Sequence, residues 1–200
     1  SALFSQSTFV GDNSGATIDD DFDVESQVNV NSLSGYINTD HVIDNVKIDL
    51  DHSDNSDLLI TLVAPDGTYI DLASNQSGSD YDNTIFQDGG ADIEQATAPY
   101  SGVYEPVDGT FAFNMDDVQV NGIWKLKISD ISSFCCDGTF NSFEITFAPG
   151  PGCVPATNLT ASNTYQNKVD VSADLSATKH SDYEWIVIHP GDAPSVANAI

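Results

Sequence analysis

The feature that most constrains this chain is a strict two-residue alternation of apolar and polar side chains. In Asn45-Val46-Lys47-Ile48-Asp49-Leu50-Asp51 every second residue is apolar. A period of two is that of a β-strand with one buried face and one wet face. The pattern returns at Ile123 to Ser129, with Trp124, Leu126 and Ile128 on one face and Lys125 and Lys127 on the other. It returns again where Phe143, Ile145 and Phe147 alternate with Glu144 and Thr146. Asp57 to Ala64 is a more continuous apolar run, as for a strand covered on both faces. Pro65-Asp66-Gly67 is a turn sequence, and Thr68 to Ala73 returns as its hairpin partner. No segment carries a helical period, and Gly, Asp and Ser-rich stretches separate the strands. The pattern predicts an all-β sandwich.

Composition limits the partners. The 200 residues hold 31 acidic residues against 5 lysines, with no arginine, for a formal charge of −26. Nucleic-acid binding requires Lys and Arg to neutralise phosphates, so that class is excluded. Anionic membrane surfaces are disfavoured for the same reason. No run approaches the length of a membrane span, so membrane insertion is not expected. A chain this acidic repels itself unless salt screens it or a hard cation such as Ca²⁺ is bound by its carboxylates. Since the sequence starts at Ser1 without a basic-then-apolar leader, either a signal peptide has been removed or the chain is an excised fragment.

The break in the chain is Ala148-Pro149-Gly150-Pro151-Gly152-Cys153, which cannot continue a strand ladder and reads as a linker. The expected division is an N-terminal arm (1–19), a first sandwich (20–148), a linker (149–153) and a second, partial domain (154–200). Val169 to Ala173 and Tyr183 to Ile188 are strand candidates in the last part.

Residues 20 to 148 resemble the P domain (P/Homo B module) of the kexin and furin type. The resemblance is carried by Asp57-Leu58-Leu59-Ile60-Thr61-Leu62, Ala64-Pro65-Asp66-Gly67-Thr68 and Asn83-Thr84-Ile85-Phe86. It continues through Pro99 to Pro106, Asn121-Gly122-Ile123-Trp124-Lys125-Leu126 and Asp137 to Phe143. His52 matches the family's usual histidine before the Asp-Leu strand, while Phe143 stands where the family often has tryptophan. The resemblance implies a jelly-roll β-sandwich related to galactose-binding-like folds. Residues 153 to 200 are similar to the opening of a fibronectin type III domain, through Cys153, Pro155, Asn158-Leu159-Thr160-Ala161 and Tyr183 to Val187. That would be a partial immunoglobulin-like sandwich, to be completed by chain beyond Ile200 or by strands of a neighbouring molecule. Such pairings are similar to modular bacterial surface and secreted proteins.

No catalytic constellation is legible. His52 stands between Asp51 and Ser53, but neighbouring strand residues point to opposite faces and cannot converge. Its expected role is structural. His41, His180 and His189 show no metal-ligand spacing. The acids offer more. Asp51-x-Ser53-x-Asn55-x-Asp57 alternates oxygen ligands as a calcium loop does, without the glycine and glutamate of an EF-hand. Asp57 at the head of a strand and Asp80, Asp82, Asp88 and Asp92 in the following loop are the candidate Ca²⁺ ligands, expected to meet at one end of the sandwich. Asp19, Asp20, Asp21 and Asp23 read as a solvated acidic arm. Tyr81, Tyr100 and Tyr104 are candidates to stack on a glycan, against the plainer expectation that they pack loops on the core. Three cysteines leave one over. A strand leaving the Asp137-Gly138 turn carries Cys153 away from Cys135 and Cys136. The expectation is a bridge between those two neighbours, or two free thiols, with Cys153 paired outside this segment.

The resulting expectation is a non-catalytic, calcium-stabilised structural or adhesive module of a secreted bacterial cell-surface protein, with a filament subunit, and so a homopolymer, among its forms. The alternatives are the accessory P domain of a secreted subtilisin-like serine protease, and a carbohydrate-binding module. Its partners would be other domains of the same or neighbouring chains, or a glycan.

Overall fold

The structure is a computed structural model and describes residues 6–132, 136–150, 157–165 and 168–174. It divides into two compact units, Ser1–Cys153 and Val154–Ile200. In the first unit two sheets face one another. One is six-stranded and contains, in chain order, β1 (Ser7–Val10), β2 (Ala16–Ile18), β4 (His41–His52), β7 (Tyr81–Asp92), β8 (Val103–Glu105) and β10 (Gly138–Pro149). Its strands run in the order β1-β10-β4-β7-β8, with β2 also pairing with β10. The other sheet holds β3 (Asp23–Val30), β5 (Leu58–Val63), β6 (Tyr69–Ser74) and β9 (Gly122–Asp130), in the order β3-β9-β5-β6. Almost every pairing is antiparallel; β7 with β8 is parallel. The architecture is the all-β sandwich that the alternating segments predict.

The alternation maps onto the core residue by residue. Val46, Ile48 and Leu50 of β4 point inward, as do Trp124, Leu126 and Ile128 of β9 and Phe143, Ile145 and Phe147 of β10. Trp124 bridges the sheets: its ring meets Phe147 edge-on at 5.5 Å, and its indole N–H donates to the Val120 carbonyl at 2.9 Å. That bond satisfies the one polar atom of a side chain that is otherwise wholly buried. The Pro65-Asp66-Gly67 turn forms as read, with Gly67 at φ 92°, a region that favours glycine. It sets the β5–β6 register at Val63 opposite Tyr69.

Two expectations need correction. Residues assigned to an N-terminal arm form β1 and β2, which pair with β10 and close that edge of the sheet. The arm reading failed because these strands are short and lack a long alternating run. The stretch holding Asp80 to Asp92, read as a loop, is the twelve-residue β7 with a short parallel partner. Its polar, glycine-containing second half, Gln87 to Asp92, has no buried residue, so burial imposes no alternation there. Among the described residues one short α-helix occurs, α1 (Phe111–Asn114).

The second unit contains a hairpin, β11 (Thr157–Tyr165) with β12 (Lys168–Asp174). β12 includes the Val169 to Ala173 strand read from sequence. The Tyr183 to Ile188 candidate lies outside the described residues.

Candidate functional site

At one end of the sandwich the two sheets are closed by polar residues. The inward series of β4 runs Val46, Ile48, Leu50 and then His52; that of β9 runs Trp124, Leu126, Ile128 and then Asp130. The last inward position of each strand is therefore polar, and the two meet. His52 Nε2 lies 3.2 Å from Asp130 Oδ2, with both side chains wholly buried. On its other side, His52 Nδ1 lies 2.9 Å from the Asp54 carbonyl, and the Asp54 amide approaches it at 3.3 Å. Asp130 Oδ1 accepts from the Ser132 amide at 2.9 Å. Partners on this scale are what permits ionisable groups to be buried at all.

The same residues bind loops together. The His52 amide donates to Asp80 Oδ1 at 2.9 Å, and the Asp80 amide returns a bond to the His52 carbonyl at 3.1 Å. Buried Asn55 donates its side-chain N–H to the Asp80 carbonyl at 3.2 Å, and its amide donates to Gly78. Above this floor lies an open cleft of about 660 Å³, lined by Thr17, Asp51, His52, Asp80, Asp137 and Thr139 among others. Partial burial pushes the Asp20 carboxyl up from the ordinary 3.8, helped by the like charges of Asp130, Asp137, Asp19 and Asp21. Its Oδ1 has no hydrogen-bond partner. Asp23, three residues on, behaves oppositely. Its carboxyl is held down by hydrogen bonds from Lys127, at 2.8 Å, and Ser129, at 2.6 Å. Asp23 thus starts β3 and Asp20 is partly buried, where a solvated arm was expected, while Asp19 and Asp21 are exposed.

The five candidate Ca²⁺ ligands do not gather in one place. Asp80 and Asp92 bracket β7 and so sit at its opposite ends. Asp80 is engaged with His52 as described. Asp82 accepts from the Asn83 side chain at 3.1 Å. Asp88 accepts from the amides of Phe111 and Ala112, at 2.6 and 3.0 Å, and so caps α1. Asp92 accepts from the Glu94 amide at 2.9 Å and caps a short 3-10 turn. Asp57 closes another such turn, its carbonyl accepting from the Ile131 amide. Among the described residues no group of three or more His, Cys, Asp or Glu side chains is arranged to hold a metal.

Of the three tyrosines offered for glycan stacking, Tyr81 and Tyr100 are buried and stack on each other, with ring centroids 5.2 Å apart. Tyr104 meets Tyr100 edge-on at 6.1 Å. They pack loops against the core, the plainer of the two expectations. Sequence reading missed Asp137 as a cleft residue and Asp130 as the buried partner of His52. Carrying the alternation one step past Ile128 would have found Asp130.

His52 is committed on both sides of its ring. Both nitrogens of His52 face Asp54 and Asp130, and neither bonds to a hydroxyl. The fold defines an all-β sandwich module. The chain belongs to the proprotein convertase P-domain family, whose model matches residues 40–147, more than half of the chain. It is 27% identical over 124 residues to leupeptin-inactivating enzyme 1 of Streptomyces exfoliatus, covering 62% of this chain and 22% of that protein. It therefore spans about a fifth of the curated relative it matches. Two solved structures of an Aeromonas sobria serine protease are also similar. The one in complex with its chaperone has a TM-score of 0.43 at 16% identity, covering 74% of this chain and 27% of that chain. The other has 0.41 at 16%, covering 73% and 26%. Among the described residues no helix is long and apolar enough to cross a membrane.

Proposed function

We propose that this chain is the accessory P domain of a secreted subtilisin-like serine protease, acting on the protease's folding and stability and not on its chemistry. The observation that carries this reading is the family match over residues 40–147. The partial alignment with leupeptin-inactivating enzyme 1, a much longer protein, supports it further. These findings favour the accessory-domain alternative over an adhesive or filament-forming module. On this reading the partner is a domain of the same polypeptide, the setting is extracellular, and residues from Cys153 onward open a fibronectin type III-like domain. Ca²⁺ enters as a counter-ion of the acidic surface, supported by the charge of −26 and the five lysines. The test is deletion of residues 40–147 from the polypeptide that carries them. The reading requires the yield of active, secreted protease to collapse while its mRNA persists. Unchanged yield and thermal stability would reject it.

A further inference from the structure

A second pocket, of about 450 Å³, shares no lining residue with the His52 cleft. Its lining comes from the end of β6, from the 3-10 turn that follows β7, from Tyr100, and from the segment after β8. β6 and β8 are the edge strands of the two sheets. The chain leaving β8 is tied to β6: the Val107 and Asp108 amides donate to the Leu72 and Asp71 carbonyls. Asp108 Oδ2 accepts from the Asp71 amide at 2.9 Å in return. The walls of the pocket are thus held by backbone bonds between two sheet edges.

The pocket holds an acceptor that the fold leaves unused. Gln76 lines it and is only 5% exposed. Its Nε2 donates to the Ser74 carbonyl at 3.0 Å, which fixes the other end of the amide as the oxygen. Among the described residues no donor reaches that oxygen. A buried acceptor without a donor is destabilising, so it calls for a partner from outside. The Tyr100 hydroxyl cannot serve, because it donates to the Ser77 carbonyl at 2.8 Å. Charge points the same way. Glu94 and Asp108 line the pocket, and no Lys, Arg or His does. The Glu94 carboxylate accepts no hydrogen bond among the described residues, and Asp108 commits one oxygen of two. Glu94 and Val107 also border a neighbouring hollow that adds Asp92 and Glu105.

A ligand for such a site brings hydrogen-bond donors and positive charge. An anion is repelled. A bare metal ion fits poorly, since among the described residues no group of three or more His, Cys, Asp or Glu is arranged to hold one. We infer that this pocket binds an arginine side chain of a peptide segment outside these 200 residues, which themselves contain no arginine. A guanidinium presents five N–H donors and no acceptor in a planar fork. It serves Gln76 Oε1, the Glu94 carboxylate and the uncommitted oxygen of Asp108 together. Its methylene stem lies against Val107. The site is independent of the accessory-domain reading, because every group it uses belongs to this chain.

Two-dimensional NMR of the full chain tests this, with acetyl-arginine amide as the probe at physiological salt. Saturable shifts are expected at the backbone amides of Gln76, Glu94 and Asp108 and at the Gln76 side-chain amide. The amide of Thr139, in the His52 cleft, should stay still. The citrulline derivative, alike in shape but uncharged, should bind about tenfold more weakly, as for loss of charge-assisted hydrogen bonds. Glu94 is exposed, so Glu94→Gln keeps the fold, and it should weaken arginine binding about threefold. Equal affinity for arginine and citrulline would overturn the assignment, as would an unchanged affinity in Glu94→Gln. So would shifts that never saturate and spread over the whole acidic surface, which is the signature of screening alone.

Discussion

The imidazole of His52 and the carboxylate of Asp130 terminate the inward-facing series of two strands on opposite sheets, and they meet at 3.2 Å with both side chains buried. The pair thus joins the sheets at a point where both neighbouring inward positions, Leu50 and Ile128, are fully buried apolar residues. Removing one member leaves the facing atom of the other, His52 Nε2 or Asp130 Oδ2, without its partner in a water-poor site, which is more costly than never having buried either. Asp130→Ala is expected to cost about 3 kcal/mol in urea unfolding, with His52→Ala close behind. The double variant should cost less than the sum, since the two form one unit. Additive single effects would show that the pair carries no coupling.

Asp20 provides a pH signature. Its carboxyl is raised above the ordinary 3.8 by partial burial and by Asp130, Asp137, Asp19 and Asp21. A folded-state value above the unfolded one contributes stability that is present below pH 3.8 and lost as pH rises through the folded value. Above that point the folded state bears the strain, so Asp20→Asn should raise the melting temperature at pH 7. The gain should shrink as pH falls below the ordinary carboxylate range, where wild type is protonated too. Asp23, held down by Lys127 and Ser129, has the opposite sense but is common to both proteins and cancels in the difference. A variant that melts lower than wild type at pH 7 would contradict the assignment.

The α1 cap separates a structural acid from a metal ligand. Asp88 takes two amides at the head of α1, and Thr110 takes a third contact from Phe113 at 3.2 Å. Asp88→Ala is expected to destabilise by about 1 kcal/mol, in the usual range for a lost cap. Melting should shift equally in EDTA and in Ca²⁺, as measured by calorimetry. A loss seen only with Ca²⁺ present would make Asp88 a ligand.

How much of this was readable in advance depended on burial. Strands with one face in the core, such as those carrying Val46 or Trp124, are forced to alternate; β9 was legible to within a residue at each end, and β4 apart from its first four residues, His41 to Asp44. β1 and β2 lie at a sheet edge, and β7 buries nothing after Phe86, so polar residues cost little there and the period fades. The carboxylates were legible as a set but not as a geometry. Asp80, Asp88 and Asp92 are close in sequence, yet a strand runs between them and hydrogen bonds commit them to different turns. His52 was read correctly as structural from the opposed faces of strand neighbours, and Asp51 is indeed exposed where His52 is buried. Its partner was missed because the two strands are distant in sequence.

Calcium should act on the whole acidic surface. A ligand that binds only the folded state adds about 2.7 kcal/mol at 100 times its Kd. On the proposal, millimolar Ca²⁺ raises the melting temperature well beyond NaCl of equal ionic strength, and EDTA reverses the gain. Equal effects of the two salts would reduce calcium to simple screening.

The most direct measurement recovers the native polypeptide from culture medium with an antibody against residues 40–147 and treats it with a fluorophosphonate probe, which labels activated serines. The account predicts a labelled polypeptide much longer than 200 residues that contains this chain, while the isolated 200-residue chain stays unlabelled. A recovered protein that contains the chain and takes no label would contradict it.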